Sequence, residues 1–134
     1  DEKYFCDRMR ILDIKLSDTI ICYDTGDQQW FGYRAAWMFQ VMGHPKVAVL
    51  DGGLKKWKYE GHPIESDGEE ICDSDFDYKI NPDRIWNSKK IKNYETVANQ
   101  VQMIDTRLPS QFRNGTIKGA KNFPASNLIN LETK

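Results

Sequence analysis

The sequence has little of what several functional classes require. It contains only three cysteines in 134 residues, and its formal net charge is −1 at pH 7. The cysteines Cys6, Cys22 and Cys72 are widely spaced, so they predict neither a disulfide framework nor a zinc site. A nearly neutral chain offers no electrostatic reason to bind nucleic acid, and no apolar run approaches the roughly 20 residues of a membrane-spanning helix. We therefore expect no metal, no cofactor, no nucleic-acid partner and no membrane insertion.

A secretory signal is also missing from the first residues. Asp1 to Arg8 has neither a basic region nor an apolar core, although a processed targeting segment could have been removed. Sparse, unpaired cysteines are typical of a reducing compartment. We expect an intracellular location, either mitochondrial or cytoplasmic.

What the chain does have is an alternation of apolar runs and helical patterns. Short β-branched runs predict buried strands, and longer segments with apolar residues at helical spacing predict helices. The strands are expected at Thr19–Tyr23, Val47–Leu50 and Val101–Asp105, and the helices at Trp30–Met42 and Ser88–Gln100. This order predicts an α/β fold with parallel strands and helices on both faces of the sheet. A right-handed crossover should make the first two strands neighbours.

Shorter elements are expected around this framework. Tyr4, Phe5, Met9 and Leu12 fall near helical spacing, so they are expected to share one face of a helix. Short helices are predicted at Leu54–Tyr59 and Leu108–Phe112, and a strand or turn at Gly119–Pro124.

The composition changes in the middle of the chain. Residues 65–77 are acidic and poor in apolar side chains, which is typical of a linker. We therefore predict three segments: a first partial domain at residues 1–64, a linker at 65–82, and a second partial domain at 83–134.

Two groups of residues in the chain carry a recognisable pattern. The first is Tyr23-Asp24, Arg34, Trp37-Met38-Phe39, Gly43-His44, Val49-Leu50-Asp51-Gly52-Gly53, Trp57 and Gly61-His62-Pro63; the second is Asp105-Thr106-Arg107, Phe112, Gly115, Ile117 and Gly119-Ala120-Lys121-Asn122-Phe123-Pro124. Together they resemble the tandem-rhodanese family, the thiosulfate/3-mercaptopyruvate sulfurtransferases. The first group resembles the second half of the family's first domain, and the second group resembles the start of its second domain. The resemblance implies a rhodanese-like fold that is present as two partial domains.

The resemblance also implies where sulfur chemistry should occur. The family holds sulfur as a cysteine persulfide in a loop that opens a helix, where converging backbone N–H groups lower the thiol pKa. The matching loop here consists of Asp24, Thr25, Gly26, Asp27, Gln28 and Gln29. Asp24 occupies the cysteine-equivalent position, and a carboxylate cannot carry sulfur. We therefore expect no catalytic residue in this loop, and the family's catalytic cysteine loop would follow Lys134.

The three cysteines are poor substitutes for that sulfur carrier. Cys22 should be a small buried hydrophobe within its strand, and Cys6 lies on a helix without a recognisable motif. Cys72 is flanked by acidic residues, which raise a thiol pKa.

The substrate side shows a second departure from the family. Mercaptopyruvate-using members carry an arginine before the phenylalanine that matches Phe112, and this arginine is thought to hold the substrate carboxylate. Gln111 occupies that position here and cannot form the same bidentate contact. Arg107 matches another family arginine. It could contact substrate, but an ion pair with Asp105 is the simpler expectation.

Other polar residues receive structural interpretations. Arg34 is expected to pair with Asp24 or Asp27, His44 to cap the end of its helix, and His62 to be solvated. Trp37 and Trp57 are expected in the core.

Three functional hypotheses remain open. The chain is a portion of a tandem sulfurtransferase, completed by another protein chain or by a missing segment. Alternatively, it is a degenerate rhodanese module that serves as a structural or accessory subunit. In the third hypothesis its two halves close into one permuted binding domain. A sulfur-transfer assay separates the first class from the others, and the native mass separates the second from the third.

Overall fold

The computed structural model describes residues 2–66, 79–92 and 101–128. The chain divides into two compact units, Asp1–Ile85 and Trp86–Lys134. The boundaries predicted at residues 64 and 83 stay a prediction, because residues 67–78 lie outside the described ranges.

The first unit contains a small parallel sheet. Strand β1 (Ile20–Cys22) pairs in parallel with β2 (Val47–Val49), with Ile21 opposite Ala48. Helix α2 (Trp30–Val41) connects the two strands and contacts both of them. The expected parallel neighbours are therefore confirmed, with each strand slightly shorter than the apolar run that predicted it.

Two helices form the core beside this sheet. Helix α1 (Glu2–Ile11) buries Cys6 and Met9, which pack with Phe5, Ile14 and Phe39. Helix α2 buries the small residues Gly32 and Ala36 together with Val41, so that neighbouring segments approach its axis closely. The predicted helix is confirmed; of the residues expected to share one face, Phe5 and Met9 pack in the core and Tyr4 and Leu12 are exposed.

The end of α2 is enclosed by backbone contacts. Gly43 has φ +87°, and a Cβ there would meet the carbonyl oxygen of Lys79. Asn81 N–H donates to the Val41 carbonyl at 2.8 Å, and a 3₁₀ turn follows at Pro82–Arg84. His44 is buried, and its Nε2 lies 3.1 Å from the carbonyl oxygen of Lys15. Its ring therefore bridges to the segment before β1, beyond the helix-capping role that the sequence predicted.

Helix α3 (Gly53–Tyr59) starts at the Gly-Gly turn after β2. Trp57 lies on its outer side, where its indole N–H donates to the Pro63 carbonyl at 2.9 Å. The ring centres of Trp57 and His62 lie 4.5 Å apart with the rings tilted by 41°, and His62 Nε2 lies 3.3 Å from a Glu60 carboxylate oxygen. Trp57 is exposed, so its assignment to the core was wrong, whereas Trp37 is half-buried.

The second unit also contains a parallel pair. Strand β3 (Ile104–Asp105) pairs with β4 (Lys121–Asn122), and helix α5 (Pro109–Arg113) lies between them in the chain. Helix α4 is Ser88–Lys92, and a 3₁₀ helix follows β4 at Ala125–Leu128. The predicted strand Val101–Asp105 is regular only in its last two residues. The remainder of the predicted helix Ser88–Gln100 lies outside the described residues.

The described strands form two separate two-stranded sheets, β1–β2 and β3–β4. The hypothesis that the two halves close into one permuted domain stays a prediction. No helix in the described part of the chain is both long enough and apolar enough to cross a membrane.

Candidate functional site

The loop between β1 and α2 is built around the carboxylate of Asp24. Its Oδ1 accepts a hydrogen bond from Gly26 N–H at 2.6 Å, and its Oδ2 accepts one from Gly32 N–H at 2.9 Å. The two donors belong to the loop and to the first turn of α2. A single side chain therefore ties the loop to the helix that follows it.

The position of this carboxylate follows from the way α2 begins. The first N–H groups of a helix have no partner within the helix, and their partial positive charge attracts anions. The residue before α2, Gln29, makes no side-chain cap and has a left-handed backbone with φ 52°. Asp24 supplies the missing acceptor from eight residues before Gly32, and so acts as a remote cap.

Gln29 is the most enclosed polar residue of the loop, with only 2% of its surface exposed. Its amide is satisfied when Nε2 donates to the Leu50 carbonyl at 2.8 Å and Oε1 accepts from Gly52 N–H at 3.0 Å and from Gly53 N–H at 2.6 Å. These three bonds fasten the loop to the turn after β2. They also give the Gly52 N–H an acceptor, whereas Gly53 N–H and the Leu50 carbonyl are in addition bonded to each other at 3.1 Å.

The contact between the loop and this turn leaves no room for a larger side chain. A Cβ on Gly53 would lie 2.7 Å from the Asp24 carbonyl oxygen and 2.9 Å from Gln29 Cδ. Leu54 N–H also donates to that carbonyl at 3.1 Å. The backbone of Asp24 is therefore held by α3 while its side chain is held by α2.

The outer part of the loop faces solvent. Thr25, Gly26 and Asp27 are exposed, and Gln28 is half-buried. Asp27 pairs with Lys55 at 2.7 Å, and both side chains are largely exposed. The guanidinium of Arg34 lies 4.6 Å from the centre of the Trp37 ring. The predicted ion pair of Arg34 with Asp24 or Asp27 is therefore absent from the contacts of the described residues, because the backbone and Lys55 hold these carboxylates.

The cysteines of the described ranges are both buried. Burial raises the pKa of the Cys22 thiol, which disfavours the reactive thiolate. Cys6 lies in the core beside Met9. Cys72 lies outside the described residues. The expectation that Cys22 is a small buried hydrophobe agrees with this environment.

In the second unit, Arg107 forms an ion pair with Asp105. Its Nη2 lies 2.6 Å from Asp105 Oδ2, its Nε is 3.0 Å from Oδ1, and Nη2 also donates to the Gly115 carbonyl at 2.7 Å. Thr116 Oγ1 donates to Asp105 Oδ2 at 2.8 Å. The guanidinium is therefore engaged within its own unit, as the structural interpretation of Arg107 predicted. It also borders an open cavity of about 650 Å³.

Gln111 has a local role at the start of α5. Its Oε1 accepts a hydrogen bond from Leu108 N–H at 3.2 Å, which satisfies a backbone donor at the helix N-terminus. This contact uses the side-chain oxygen, and a neutral amide cannot form a bidentate charged contact with a carboxylate. The position that resembles the substrate arginine therefore stabilises a helix here.

Sequence reasoning identified the loop but missed its principal support. Gln29 was included as a loop residue, yet nothing in its neighbours predicts that its amide is buried against a turn 23 residues later. Thr116 was likewise missed as a partner of Asp105.

The described residues contain no group of three or more His, Cys, Asp and Glu side chains that could hold a metal ion.

We expect Asp24→Ala to destabilise the first unit by about 2 kcal/mol, because two N–H donors lose a charged acceptor. Asp24→Asn should cost about 1 kcal/mol, since the amide retains one acceptor but turns an NH₂ group towards the other donor. Urea unfolding followed by tryptophan fluorescence measures both values. The matched control is Asp27→Asn, whose exposed pair with Lys55 should contribute less than about 0.5 kcal/mol. Equal losses at Asp24 and Asp27 would contradict the capping role.

A second prediction concerns acid stability. The side-chain hydrogen bonds from Arg107, followed by its backbone N–H, hold the pKa of Asp105 well below its usual range. Because the pKa of Asp105 is lower in the folded chain than in the unfolded chain, its ionised carboxylate stabilises the fold at pH values above the unfolded-state pKa of about 3.9. This stability is lost as the pH falls towards the folded-state pKa. Asp105→Asn should therefore flatten the acid limb of the second unit's stability curve. Amide NMR signals of Ile104 and Asn122 during acid titration report it, and Arg113→Gln should leave that limb unchanged.

Comparison with known proteins gives a consistent result. Residues 6–60 match the model of the rhodanese-like domain. The chain is 29% identical over 144 residues to a thiosulfate sulfurtransferase of Gallus gallus, and 30% identical over 147 residues to that of Cricetulus griseus; each match covers 96% of this chain and 47% of the relative. The crystal structure of SseA from Escherichia coli, described as a 3-mercaptopyruvate sulfotransferase, matches with 28% identity and a TM-score of 0.84. That match covers 97% of this chain and 52% of SseA, so the chain spans about half the length of its relatives. The rhodanese-like fold is thereby confirmed.

Proposed function

We propose that this chain is a portion of a thiosulfate/3-mercaptopyruvate sulfurtransferase-like protein, because it resembles the tandem-rhodanese sulfurtransferases along nearly its whole length. In this proposal the Asp24 loop is a structural counterpart of a sulfur-carrying loop. The chain by itself does not transfer sulfur. Polypeptide from elsewhere completes its partial domains, and the protein works in a reducing compartment, either mitochondrial or cytoplasmic.

One observation carries the proposal. The carboxylate of Asp24 accepts the two backbone hydrogen bonds at the head of the loop, from Gly26 and Gly32. A thiolate at the same position would be stabilised by these donors and by the positive end of α2. The loop thus has the surroundings that a sulfur carrier needs, with an oxygen ligand in place of sulfur.

The chemistry shows why this exchange matters. A cysteine thiolate attacks the outer sulfur of thiosulfate, a sulfur–sulfur bond forms, and sulfite leaves with the electron pair of the broken bond. Cyanide then attacks the outer sulfur of the persulfide and leaves as thiocyanate, which regenerates the thiolate. Asp24 has no sulfur that could form the first bond. The two cysteines of the described residues are buried, so thiosulfate in the solvent cannot reach their thiols.

The test measures sulfur transfer in the purified chain. With thiosulfate and cyanide we expect no thiocyanate above the background without protein. Mass spectrometry after thiosulfate treatment should find no persulfide at Cys6, Cys22 or Cys72. A stoichiometric gain of one sulfur atom at Cys22 that is passed on to cyanide would overturn the proposal.

The matched variant is Asp24→Cys, which places a thiol in the same loop. The N–H groups of Gly26 and Gly32 should lower the pKa of this thiol, so we expect it to react faster with iodoacetamide than Cys22 does. Gain of one sulfur from thiosulfate in this variant, and not in the natural chain, would attribute the inactivity to Asp24. A variant that labels slowly and takes up no sulfur would show that the loop is not a sulfur-carrier cradle.

An accessory role is the second candidate, and exposed aromatic residues favour it. Phe31 at the start of α2 and Tyr59 at the end of α3 are both largely exposed, although large apolar side chains are usually buried. A module without catalysis could use such residues to bind a larger assembly. A native mass well above that of one chain, combined with absent sulfur transfer after completion by its partner, would favour this candidate.

A further inference from the structure

Asn114 and Gly115 form an exposed Asn-Gly sequence directly after helix α5, which ends at Arg113. The side-chain amide of Asn114 forms no hydrogen bond with the described residues, so nothing in that part of the chain holds it in place. Gly115 has φ +136°, and a Cβ at this position would meet no atom within 4 Å. A reactive amide and an unhindered backbone nitrogen are therefore adjacent at the surface.

The local backbone allows this nitrogen to reach the amide. Glycine has no Cβ that would obstruct the approach to its own nitrogen. The N–H of Gly115 donates to the Phe112 carbonyl at 3.1 Å, and this bond must open before the nitrogen can attack. The bond belongs to the end of a helix of only five residues, Pro109–Arg113, and helix ends fray. Opening therefore needs only a local motion.

The residues that follow Asn114 hold the ion pair of Arg107 with Asp105. The Gly115 carbonyl accepts a hydrogen bond from Arg107 Nη2 at 2.7 Å, and Thr116 Oγ1 donates to Asp105 Oδ2 at 2.8 Å. Arg107, Gly115 and Thr116 also line the open cavity of about 650 Å³. A change in the backbone at Asn114 would therefore reach both partners of the ion pair and the wall of this cavity.

We infer that Asn114 is a site of spontaneous deamidation, and that its isoaspartyl product releases Arg107 and Asp105 from Gly115 and Thr116. The Gly115 nitrogen bonds to Asn114 Cγ and gives its proton to solvent, and ammonia leaves with the electron pair of the broken C–N bond. Water then adds to one of the two carbonyl groups of the resulting succinimide, and the C–N bond at that carbonyl breaks. Opening at Cγ gives aspartate, whereas opening at the backbone carbonyl gives isoaspartate, which places the Cβ methylene in the main chain. The inference involves no sulfur chemistry and does not depend on the proposed function.

Ageing of the purified 134-residue chain in warm, mildly alkaline buffer tests the deamidation. Trypsin cleaves after Arg113 and Lys118, which yields the peptide of residues 114–118. Mass spectrometry should show that the amide of this peptide has become a carboxyl group, and an isoaspartate-specific methyltransferase should label the product. If the folded chain keeps this amide while the urea-unfolded chain loses it, the fold protects Asn114 and the inference is overturned.

Asn87 is the matched control within the same chain. It is also exposed and precedes a small residue, Ser88, but its Oδ1 accepts a hydrogen bond from Lys90 N–H at 3.0 Å at the start of α4. Asn114 should deamidate at least about fivefold faster than Asn87, the factor that corresponds to one helix-capping hydrogen bond. Equal rates at the two residues would show that exposure alone decides the reaction, and would contradict the inference.

NMR of the Arg107 side-chain N–H groups tests the release of the ion pair. In the isoaspartyl fraction of the aged chain these groups should exchange with water at least about tenfold faster, because a charged hydrogen bond is lost. The aged Asn114→Gln variant, whose longer side chain does not form the succinimide, should keep the original rate. The fresh Asn114→Asp variant should also keep it, because it has the new charge without the longer backbone. Unchanged exchange in the isoaspartyl chain, or equal acceleration in either variant, would overturn the proposed release.

Discussion

Gly53→Ala is expected to destabilise the first unit by about 3 kcal/mol, since it combines left-handed backbone strain with a clash against backbone. Gly53 has φ +57°, which is costly for any residue with a Cβ. The added methyl group would lie 2.7 Å from the carbonyl oxygen of Asp24, an atom that cannot move without shifting the loop. Thermal and urea unfolding of the variant measure the loss.

The control for this substitution is Gly61→Ala. Gly61 also has a positive φ of +77°, but a Cβ there would meet no atom within 4 Å. The Gly61→Ala variant should therefore lose only the free energy that the backbone strain costs, about 1 kcal/mol. The difference between the two variants isolates the contact between the turn after β2 and the Asp24 loop. Equal losses would show that this contact contributes nothing.

Gln29→Leu is expected to have the second large effect, a loss of about 3 kcal/mol, because a buried donor that loses its partner costs about 1–3 kcal/mol. The substitution keeps a side chain of similar size but removes the acceptor for Gly52 N–H, the second acceptor for Gly53 N–H and the donor to the Leu50 carbonyl. Hydrogen exchange of the Gly52 and Gly53 amides should accelerate along with the loss of stability.

Gln28→Leu is the matched control, because it makes the same chemical change at the neighbouring, half-buried residue. It should alter stability by less than about 0.5 kcal/mol. Unchanged protection of the Gly52 and Gly53 amides in Gln29→Leu would contradict the proposed clamp.

The two predictions concern one structural unit, in which the loop, the first turn of α2 and the turn after β2 stabilise each other. Asp24 binds Gly26 and Gly32 through its side chain and Leu54 through its carbonyl. Gln29 binds the turn at Gly52 and Gly53. The loop is therefore held by contacts within the first unit, which suits a structural role in the proposed function.

Local pattern was sufficient to predict several elements. The β-branched run before Asp24 predicted β1, the apolar spacing after Gln29 predicted α2, and the crossover rule placed β1 beside β2 in parallel. These features depend on residues that are close in sequence. The ion pair of Arg107 with Asp105 was predictable for the same reason, because the two residues are only two positions apart.

The wrong assignments involved choices between distant partners. The sequence predicted an ion pair of Arg34 with Asp24 or Asp27. In the structure, backbone N–H groups bind the Asp24 carboxylate and Lys55 binds that of Asp27. The guanidinium of Arg34 lies over the ring of Trp37 instead. The helical spacing of α1 was right and placed Phe5 and Met9 on the face that packs, but it did not show that Tyr4 and Leu12 would be exposed. Periodicity identifies an amphipathic helix without specifying how much of its apolar side the neighbouring helix covers.

The amino-acid sequence by itself determined that Asp24, which has no sulfur, stands between an apolar strand and a helix. This is a matter of residue identity, and no folding can alter it. Only the tertiary structure decided that the Asp24 carboxylate caps α2 and that Gln29 clamps the loop to Gly52 and Gly53. The first contact joins residues eight positions apart and the second joins residues more than 20 positions apart. Packing and backbone hydrogen bonding select both from many arrangements with similar local sequence.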